Sequence, residues 1–380
     1  MNILFITRFY PDSRIGGIER VTGLLAKYFQ EQGIRVHCLY FEKSVFDDSL
    51  DDIVHAYHLE DLYDEAWIKS YLIRNDIKIV INQSHFFYTP FLSKMVHEVG
   101  GKLITCCHSS TSMKTLAKKD AVKQKHGLKR MLILVAYPLF RVISERKLKR
   151  IHWQSFEKSD KTIVLSESIK AQYASVLGIK ATDKRLDYIY NPLSFEYSIS
   201  KKEISEKKNI VLVVARLYEL QKRLSLLFKV WQQVQRADWR LVIVGDGEDR
   251  LNYEQMAKDM NLVNVSFEGV QNPMEYYRKA KIFVMTSSWE GLPMTIIESF
   301  QMGVVPIVMD SFPAAKDMVV DGKNGFIIND GDVSTFSKRL QCLMNDDTEV
   351  SHLALEACAS SVEYNISEIG NQWIKTFKTL

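Results

Sequence analysis

Hydrophobic positions along the 380-residue chain form short continuous runs that alternate with longer stretches of helical spacing. Continuous apolar runs are typical of strands buried on both faces, as in parallel sheets covered by helices. The predicted strands are Ile3–Ile6, Arg35–Tyr40, Ile77–Ile81, Lys102–Cys106 and Lys161–Leu165, then Ile210–Val214, Arg240–Val244, Val265–Glu268, Ile282–Met285, Val305–Val308 and Gly325–Ile328. Two such series predict two α/β domains, each built on a doubly wound parallel sheet.

The boundary between the two domains is predicted from a polar stretch rich in Ser, Lys and Glu, at 198–208. It follows Asn191-Pro192 and precedes the strand that restarts the pattern, as an interdomain linker would. We therefore predict an N-terminal domain over 1–193 and a C-terminal domain over 194–361. The remaining segment, 362–380, has apolar residues at helical spacing, and the helix it predicts must pack its apolar stripe on another element.

The composition is that of an ordinary globular protein, with 46% hydrophobic and 25% charged residues, which excludes disordered and collagen-like classes. The five cysteines form no CxxC pair and predict reduced core thiols in a cytoplasmic protein. The first apolar run ends at Arg8 and has no basic segment before it, so it predicts a core strand and not a signal peptide. No apolar run approaches the ~20 residues of a membrane-spanning helix.

Two glycines, Gly16 and Gly17, lie between the first predicted strand and a helix that buries Ile18, Val21 and Leu25. Glycines allow the backbone to approach a ligand closely, and the N-terminus of a helix presents free N–H groups to an anion. The dinucleotide fingerprint GxGxxG is absent. A simple turn is therefore the alternative to a phosphate contact.

A second turn of this kind follows the strand Ile282–Met285 and leads into a helix predicted to begin at proline, a residue well suited to the first helical position. The N–H groups at that terminus favour an anion, and the carboxyl ends of parallel strands are where open α/β sheets bind ligands. The residues predicted to line the phosphate of a ligand there are Gly291, Leu292, Pro293, Met294 and Thr295.

Two glutamates, Glu290 and Glu298, flank this turn. Eight residues span about 12 Å in a helix, so the two carboxylates are too far apart to share a proton or a metal ion. They suit the two hydroxyl-bearing ends of an elongated ligand, with phosphates between them, and a nucleotide sugar has that form. The alternative is a surface glutamate and a helix-interior glutamate with no shared task.

Two cations, Arg216 and Lys222, follow the strand Ile210–Val214 and are expected at the same sheet edge as Glu290. Arginine offers phosphate a bidentate fork, and lysine a compact charge. Gly245-Asp246 ends another strand at this edge, where glycine would let a base or ribose lie against the backbone.

These residues resemble the pattern of glycosyltransferase family 4 on the GT-B fold, in which two Rossmann-like domains face each other across a cleft and a C-terminal helix crosses back to the N-terminal domain. The matches are Gly16-Gly17-Ile18-Glu19, Arg216 with Lys222, Val244-Gly245-Asp246-Gly247, the E-x7-E pair Glu290 and Glu298, 303–308 and 320–326.

The resemblance implies that Glu298 binds the ribose, that Glu290 contacts the donor sugar, and that Arg216 and Lys222 neutralise the diphosphate. It also implies that His108, after the strand Lys102–Cys106, faces the donor sugar, whereas a capping or core histidine is the alternative. Three departures affect the expected loop shape and donor preference: Ala215 and Arg223 replace glycines usual in the family, and Asn191-Pro192 replaces Asn-Gly.

The reaction implied is a retaining, metal-independent transfer of a hexose or N-acetylhexosamine from a UDP-sugar to a glycan or lipid-linked acceptor in surface polysaccharide biosynthesis. No cofactor is expected, and Asp330-Gly331-Asp332, formally a DxD motif, is interpreted as a turn. Two alternatives remain open. One is a sugar-nucleotide epimerase on the same fold, and the other a non-catalytic nucleotide-sugar-binding partner of another transferase.

The segment 114–150 carries twelve Lys and Arg against two acidic residues and contains an apolar run too short to span a bilayer. Our hypothesis is that it docks the protein on an anionic membrane, peripherally on the inner face, and presents a lipid-linked acceptor. The alternative is a buried helix with a solvated basic face. Nucleic acid is not an expected partner, because aromatic residues are not interleaved with the charges.

Overall fold

The computed structural model describes residues 1–12, 16–43, 55–61, 63–83, 86–108 and 127–380, and describes side chains in the helix Gly127–Lys158 from 142 onward. The chain forms two compact units. The N-terminal unit comprises Met1–Ser112, Val135–Ser194 and Tyr364–Leu380, and the C-terminal unit is built on Phe195–Glu363. The terminal segment therefore belongs to the N-terminal unit.

The described part of the N-terminal unit forms a seven-stranded parallel sheet in the order β3-β2-β1-β4-β5-β6-β7. Its strands are β1 (Asn2–Phe9), β2 (Arg35–Glu42), β3 (His55–His58), β4 (Ile77–Asn82), β5 (Lys102–Cys107), β6 (Lys161–Val164) and β7 (Leu186–Tyr188). The helices of this part of the chain are α1 (Gly17–Glu31), α2 (Glu65–Arg74), α3 (Thr89–Glu98), α4 (Gly127–Lys158) and α5 (Glu167–Leu177), with a 3-10 turn at Phe86–Tyr88.

The C-terminal unit forms a six-stranded parallel sheet in the order β10-β9-β8-β11-β12-β13. Its strands are β8 (Lys208–Val214), β9 (Arg240–Val244), β10 (Val265–Gly269), β11 (Ala280–Met285), β12 (Val305–Asp310) and β13 (Phe326–Asn329). Its helices are α6 (Lys201–Ser205), α7 (Glu219–Lys222), α8 (Leu224–Val234), α9 (Arg250–Asp259), α10 (Met274–Lys279), α11 (Met294–Gln301), α12 (Ala315–Met318), α13 (Val333–Asn345) and α14 (Asp347–Ser360).

The two doubly wound parallel sheets predicted from the apolar runs are confirmed, and each predicted strand is present with its ends shifted by a few residues. The strands β3 and β7 were not predicted. Both lie at edges of the sheet, where burial on two faces is not required. The strand His55–His58 is only partly buried, and Leu186–Tyr188 has three residues, so neither shows a continuous apolar run.

The C-terminal helix Ile366–Lys378 follows a 3-10 turn at Ser361–Tyr364 and packs on α1. Gly370 allows this contact, because a Cβ at that position would lie 2.2 Å from the ring of Tyr28. The ring centroids of Phe29 and Phe377 are 5.3 Å apart. Within the described ranges, no helix has the length and apolarity needed to cross a membrane.

Each sheet reverses its strand order at one point, and this determines where ligand-binding residues are expected. In the N-terminal unit the reversal lies between β1 and β4, and in the C-terminal unit between β8 and β11. At such a point the connections leave on opposite sides, so a crevice opens beyond the carboxyl ends of the two strands. In each unit, the segments that follow these two strands are therefore the candidate ligand-binding segments.

Candidate active site

The clearest constellation is an ion pair at the strand-order reversal of the C-terminal unit. Lys222 ends the short helix that follows β8, and Glu290 lies in the turn that follows β11. The Nζ of Lys222 is 2.5 Å from Oε1 of Glu290, and the two side chains are only 16% and 10% exposed. The side-chain amide of Gln221 donates to Oε2 of Glu290 over 3.3 Å and to the carbonyl of Trp289 over 3.2 Å. Both carboxylate oxygens are therefore held in place.

The turn that carries Glu290 is fastened to the segment that carries Lys222. The backbone N–H of Ser288 donates to the carbonyl of Gln221 over 2.7 Å, and its hydroxyl donates to the carbonyl of Leu220 over 2.7 Å. The hydroxyl of Thr286 donates to the carbonyl of Lys222 over 2.9 Å. Hydrogen bonds within the protein thus hold both segments in place, as a preorganised electrostatic site requires.

The structure places Arg216 differently from Lys222. Its side chain is 74% exposed, its guanidinium lies 3.9 Å from the carboxylate of Glu248, and it sits over the ring of Tyr218. An exposed ion pair at that distance contributes little to stability. Arg216 is therefore open at the sheet edge, whereas Lys222 and Glu290 are brought together.

The helix α11 begins at Met294, and Pro293 occupies the N-cap with extended backbone angles. The helix was predicted to begin near Pro293, and it begins one residue later, because the ψ of 114° at Pro293 is not helical. No side chain caps this helix. The side chains of Leu292 and Met294 are buried, and Gly291 and Thr295 are partly exposed, so the backbone at this terminus is what an anion would meet.

Glu298 lies inside α11 and is 1% exposed. Glu298 lies about one turn beyond the start of the helix, among its buried residues. Its predicted contact with a ribose stays a prediction. The structure therefore shows two buried carboxylates, Glu298 inside the helix and Glu290 in the turn before it.

Gly245 is required by the neighbouring backbone, which changes the reason predicted for it. Its φ is 129°, and a Cβ there would lie 1.9 Å from the carbonyl oxygen of Ala215. Gly247 is equally confined, since a Cβ would lie 2.3 Å from the carbonyl oxygen of Leu217. The segment after β8 packs on the segment after β9, so these glycines are needed whether or not a nucleotide lies there.

Asp246, between those glycines, is exposed and ionised. The N–H of Gly247 donates to its carboxylate over 2.7 Å and Arg250 donates over 3.0 Å, and these bonds hold the pKa of Asp246 below its usual range. A carboxylate accepts hydrogen bonds and repels phosphate. Its chemistry therefore suits a hydroxyl-bearing part of a ligand.

In the N-terminal unit, Gly16 is the N-cap of α1 and Gly17 is its first residue. The φ of Gly16 is −172°, an extended value open to any residue, but a Cβ would lie 2.7 Å from Oε2 of Glu19. Glu19 is buried, which raises the pKa of its carboxyl, and it accepts backbone N–H groups of Glu19 itself and Phe9. A carboxyl group thus already lies at this terminus, which disfavours the predicted phosphate contact at Gly16 and Gly17.

His108 follows β5, and its Nε2 hydrogen-bonds Oε1 of Gln83, which follows β4. Burial lowers the pKa of His108 to about 4, so the imidazole is neutral at pH 7. Sequence reasoning missed Gln83, although it follows a strand at the sheet's order reversal. Its Nε2 is buried and has no hydrogen-bond partner within the described chain. Gln83 and His108 thus form a hydrogen-bonded polar pair beyond the carboxyl ends of β4 and β5.

The segment Asp330-Gly331-Asp332 is a turn, as expected. Asp332 caps α13 by accepting the N–H of Thr335 over 2.9 Å, and Gly331 has a φ of 83°. Asp330 accepts a hydrogen bond from Arg223. In the described ranges no cluster of three or more His, Cys, Asp or Glu side chains could hold a metal ion.

Comparison with known sequences agrees with this geometry. Residues 15–197 match the family described as Glycosyltransferase Family 4, and residues 194–359 match Glycosyl transferases group 1. The chain belongs to glycosyltransferase family 4. The predicted family is thereby confirmed over both units of this glycosyltransferase.

Curated relatives of this glycosyltransferase that bear functional names include one enzyme from Campylobacter jejuni and one from Salmonella typhimurium. One, from Campylobacter jejuni, is named GalNAc-α-(1→4)-GalNAc-α-(1→3)-diNAcBac-PP-undecaprenol α-1,4-N-acetyl-D-galactosaminyltransferase and is 28% identical over 67% of this chain and 70% of that protein. The other, a lipopolysaccharide 1,6-galactosyltransferase from Salmonella typhimurium, is 23% identical over 90% of this chain and 89% of that protein.

Among solved structures, HepE from Anabaena, determined in complex with UDP-glucose, covers 100% of both chains with a TM-score of 0.77 and 18% identity. At that identity the likeness concerns the fold alone. Together with the two parallel sheets, it confirms the GT-B fold class predicted for this glycosyltransferase.

Proposed function

We propose that this glycosyltransferase moves a hexose or N-acetylhexosamine from a UDP-sugar to a glycan or lipid-linked acceptor in surface polysaccharide biosynthesis, with retention of anomeric configuration and without a metal ion. The observation that carries the proposal is the buried pair Lys222–Glu290 at a strand-order reversal, beside the uncapped start of α11. At one sheet edge the lysine and the free backbone N–H groups suit the diphosphate of a nucleotide sugar, and the glutamate can accept hydrogen bonds from the hydroxyls of its sugar.

In this proposal, the main task of the site is to stabilise the negative charge of the leaving diphosphate. When the bond between the sugar carbon and the phosphate oxygen breaks, negative charge develops on the diphosphate. Lys222, Arg216 and the N–H groups near Met294 supply fixed positive charge for it, and each strong contact of this kind is worth about 3 kcal/mol of barrier. Glu290 accepts hydrogen bonds from sugar hydroxyls, and Glu298 from the ribose.

Retention follows if the acceptor oxygen attacks the face from which the diphosphate departs. The acceptor hydroxyl forms the new bond to the sugar carbon, and its proton passes to the departing phosphate oxygen. The products are the glycosylated acceptor and the protonated nucleoside diphosphate, so a protein base is not required. The neutral imidazole of His108, held by Gln83, serves in this scheme as a hydrogen-bonding group toward the donor sugar.

The donor and acceptor classes are supported by the relatives. HepE was solved with UDP-glucose, and the two named enzymes transfer N-acetylgalactosamine and galactose by their names. The Campylobacter enzyme's name gives a PP-undecaprenol-linked glycan, and the Salmonella enzyme's name gives a lipopolysaccharide. A sugar polymer or lipid-linked glycan is therefore the acceptor class we assign.

Peripheral docking of this transferase on the inner face of an anionic membrane, in the cytoplasm, belongs to the same proposal. Residues 114–126 lie outside the described residues, but the described end of α4 supports it. Side chains spaced at three and four residues share one face of a helix. The exposed members of that face are Val142, Ile143, Arg146, Lys149, Arg150, Trp153 and Glu157, so its cations outnumber its one acidic residue.

Apolar and aromatic side chains with neighbouring cations suit a lipid headgroup layer. Flotation with liposomes containing anionic lipid should recover the wild type at low salt and lose it at high salt. The variant W153A/R146A/R150A should float less than K180A/K184A, which removes two exposed lysines elsewhere on the N-terminal unit. Equal flotation of the two variants would contradict docking through α4.

The donor site is tested by thermal shift with UDP, GDP, ADP and CMP on the wild type, Glu298→Ala and the control Glu349→Ala, a partly exposed glutamate in the first turn of α14. We expect a shift with UDP alone that is weakened only in Glu298→Ala. A shift that survives in Glu298→Ala would contradict the ribose role, and no shift with any nucleotide would contradict the donor site itself.

Product analysis then tests the chemistry. NMR of the glycoside should show the anomeric configuration of the donor, and transfer should persist after treatment with EDTA. Inversion, or loss of transfer restored by a divalent cation, would contradict the mechanism. Turnover of the UDP-sugar to another UDP-sugar without acceptor would identify an epimerase instead.

A further inference from the structure

The residue directly after Lys222 has an unusual backbone conformation. Arg223 has φ 50° and ψ 46°, in the left-handed region where side chains other than those of Gly, Asn and Asp are rarely found. The family pattern that this chain resembles has glycine at this position. A strained arginine that replaces an unstrained glycine persists only where other contacts offset the strain.

The guanidinium of Arg223 supplies those contacts. Its Nε donates to the carbonyl of Thr286 over 2.7 Å, and its Nη2 donates to the carbonyl of Ser287 over 2.9 Å and to Oδ1 of Asp330 over 2.5 Å. The planar, forked arrangement of these N–H groups is a property that lysine lacks. One side chain thus joins the segments that follow β8, β11 and β13.

The segment 286–287 also donates a hydrogen bond back to the segment 222–223. The hydroxyl of Thr286 donates to the carbonyl of Lys222 over 2.9 Å and to the carbonyl of Arg223 over 3.2 Å. The carbonyl of Ser287, held by Arg223, also accepts a hydrogen bond from the hydroxyl of Ser311 over 2.5 Å. Glu290 lies three residues beyond Ser287, in the turn that these bonds hold.

We propose that Arg223 is a positioning residue for the transfer reaction: its guanidinium fixes the turn 286–290 against Lys222, so that Lys222 and Glu290 meet the donor in one arrangement. This inference rests on the proposed function. The three N–H contacts of Arg223 are directed at protein atoms, and its effect on the donor passes through its neighbours. A residue of this kind contributes to the barrier more than to ground-state binding.

The first test measures amide hydrogen exchange without substrate. The N–H of Ser288 donates to the carbonyl of Gln221 and reports on the turn. In Arg223→Gly, which relieves the backbone and removes the guanidinium, we expect exchange at Ser288 to be about tenfold faster, while amides of β9 keep wild-type rates. Arg223→Lys should resemble Arg223→Gly, and Asp330→Ala should show a smaller effect.

Two control variants separate this effect from others. Asn261→Gly relieves another left-handed residue, with φ 52°, and Arg236→Ala removes an arginine that bonds Asp238 and Asn345 before β9 begins. Neither should change exchange at Ser288. Wild-type exchange at Ser288 in Arg223→Gly would overturn the proposal. Equal acceleration over the whole C-terminal unit would overturn it as well, because that describes a general stabilising role.

The second test measures transfer with a UDP-sugar that the wild type accepts. In Arg223→Gly we expect kcat to fall about tenfold or more with KM for the donor changed less than about twofold. A rise in KM at unchanged kcat would overturn the positioning role. If the wild type transfers no sugar, the proposed function fails, while the exchange experiment still decides whether Arg223 holds the turn.

Discussion

The pair Lys222–Glu290 gives a stability prediction whose magnitude follows from its geometry. At 2.5 Å and an effective dielectric constant of about 20, the Coulomb attraction is about 7 kcal/mol. Desolvation of two side chains that are 16% and 10% exposed offsets most of it. In Lys222→Met the attraction is lost and the desolvation of Glu290 remains. We therefore expect the free energy of unfolding of the C-terminal unit to fall by about 3 kcal/mol, the lower end of the usual range, because Gln221 still donates to the carboxylate.

The measurement is native-state hydrogen exchange against urea, followed at amides of β8 and β11, because two units need not unfold as one. Lys281→Met is the matched control. Lys281 lies 2.6 Å from Oδ1 of Asp347, but that carboxylate is 74% exposed, so we expect a cost of about 1 kcal/mol or less. The double variant K222M/E290Q removes the stranded charge and should regain most of the loss. A cost in Lys222→Met no larger than in Lys281→Met, or no recovery in the double variant, would refute the reasoning.

Three further predictions concern the glycines and the histidine. Gly245→Ala places a Cβ 1.9 Å from a backbone carbonyl oxygen, so urea titrations should show the free energy of unfolding lowered by about 3 kcal/mol. The control Gly322→Ala should cost only about 1 kcal/mol, because its φ is also positive, at 74°, but no atom lies near the added Cβ. The pKa of His108 is about 4 in the folded protein and 6.5 ordinarily, so the unfolded chain binds a proton first as the pH falls. The free energy of unfolding should therefore decrease from pH 6.5 toward pH 4, by up to about 3 kcal/mol. Thermal melts at several pH values should show a weaker pH dependence for His108→Gln than for the wild type. Gly370→Ala brings a Cβ within 2.2 Å of Tyr28 and should release the C-terminal helix, seen as faster proteolysis there than in the wild type; equal rates would show that the helix pair adapts.

Much of this architecture could be predicted because it depends on local pattern. A strand buried on both faces must be apolar throughout, so the central strands of both sheets are visible as continuous runs. The turn after β11 and a helix start near Pro293 were predicted from another local pattern, a glycine and a proline that directly follow a strand, and the helix begins at Met294. The edge strands β3 and β7 were missed because an edge need not be apolar.

The site was only partly predictable, because its contacts join residues distant in sequence. Glu290 and Lys222 were each identified, but their contact bridges 68 residues and depends on the adjacency of β8 and β11. Gly245 was interpreted as a ligand contact, and only the packed backbone of Ala215 shows why glycine is required.

Arg223 shows the limit most clearly. In the sequence it is a departure from a family glycine, and no local pattern indicates its left-handed backbone or its bonds to carbonyls beyond β11. The sequence by itself determined the two α/β sheets, the family and the residue types of the site, because periodicity and motif spacing are local properties. The tertiary structure alone decided which side chains meet, since the order of strands in a sheet is set by packing over the whole unit and not by any single segment.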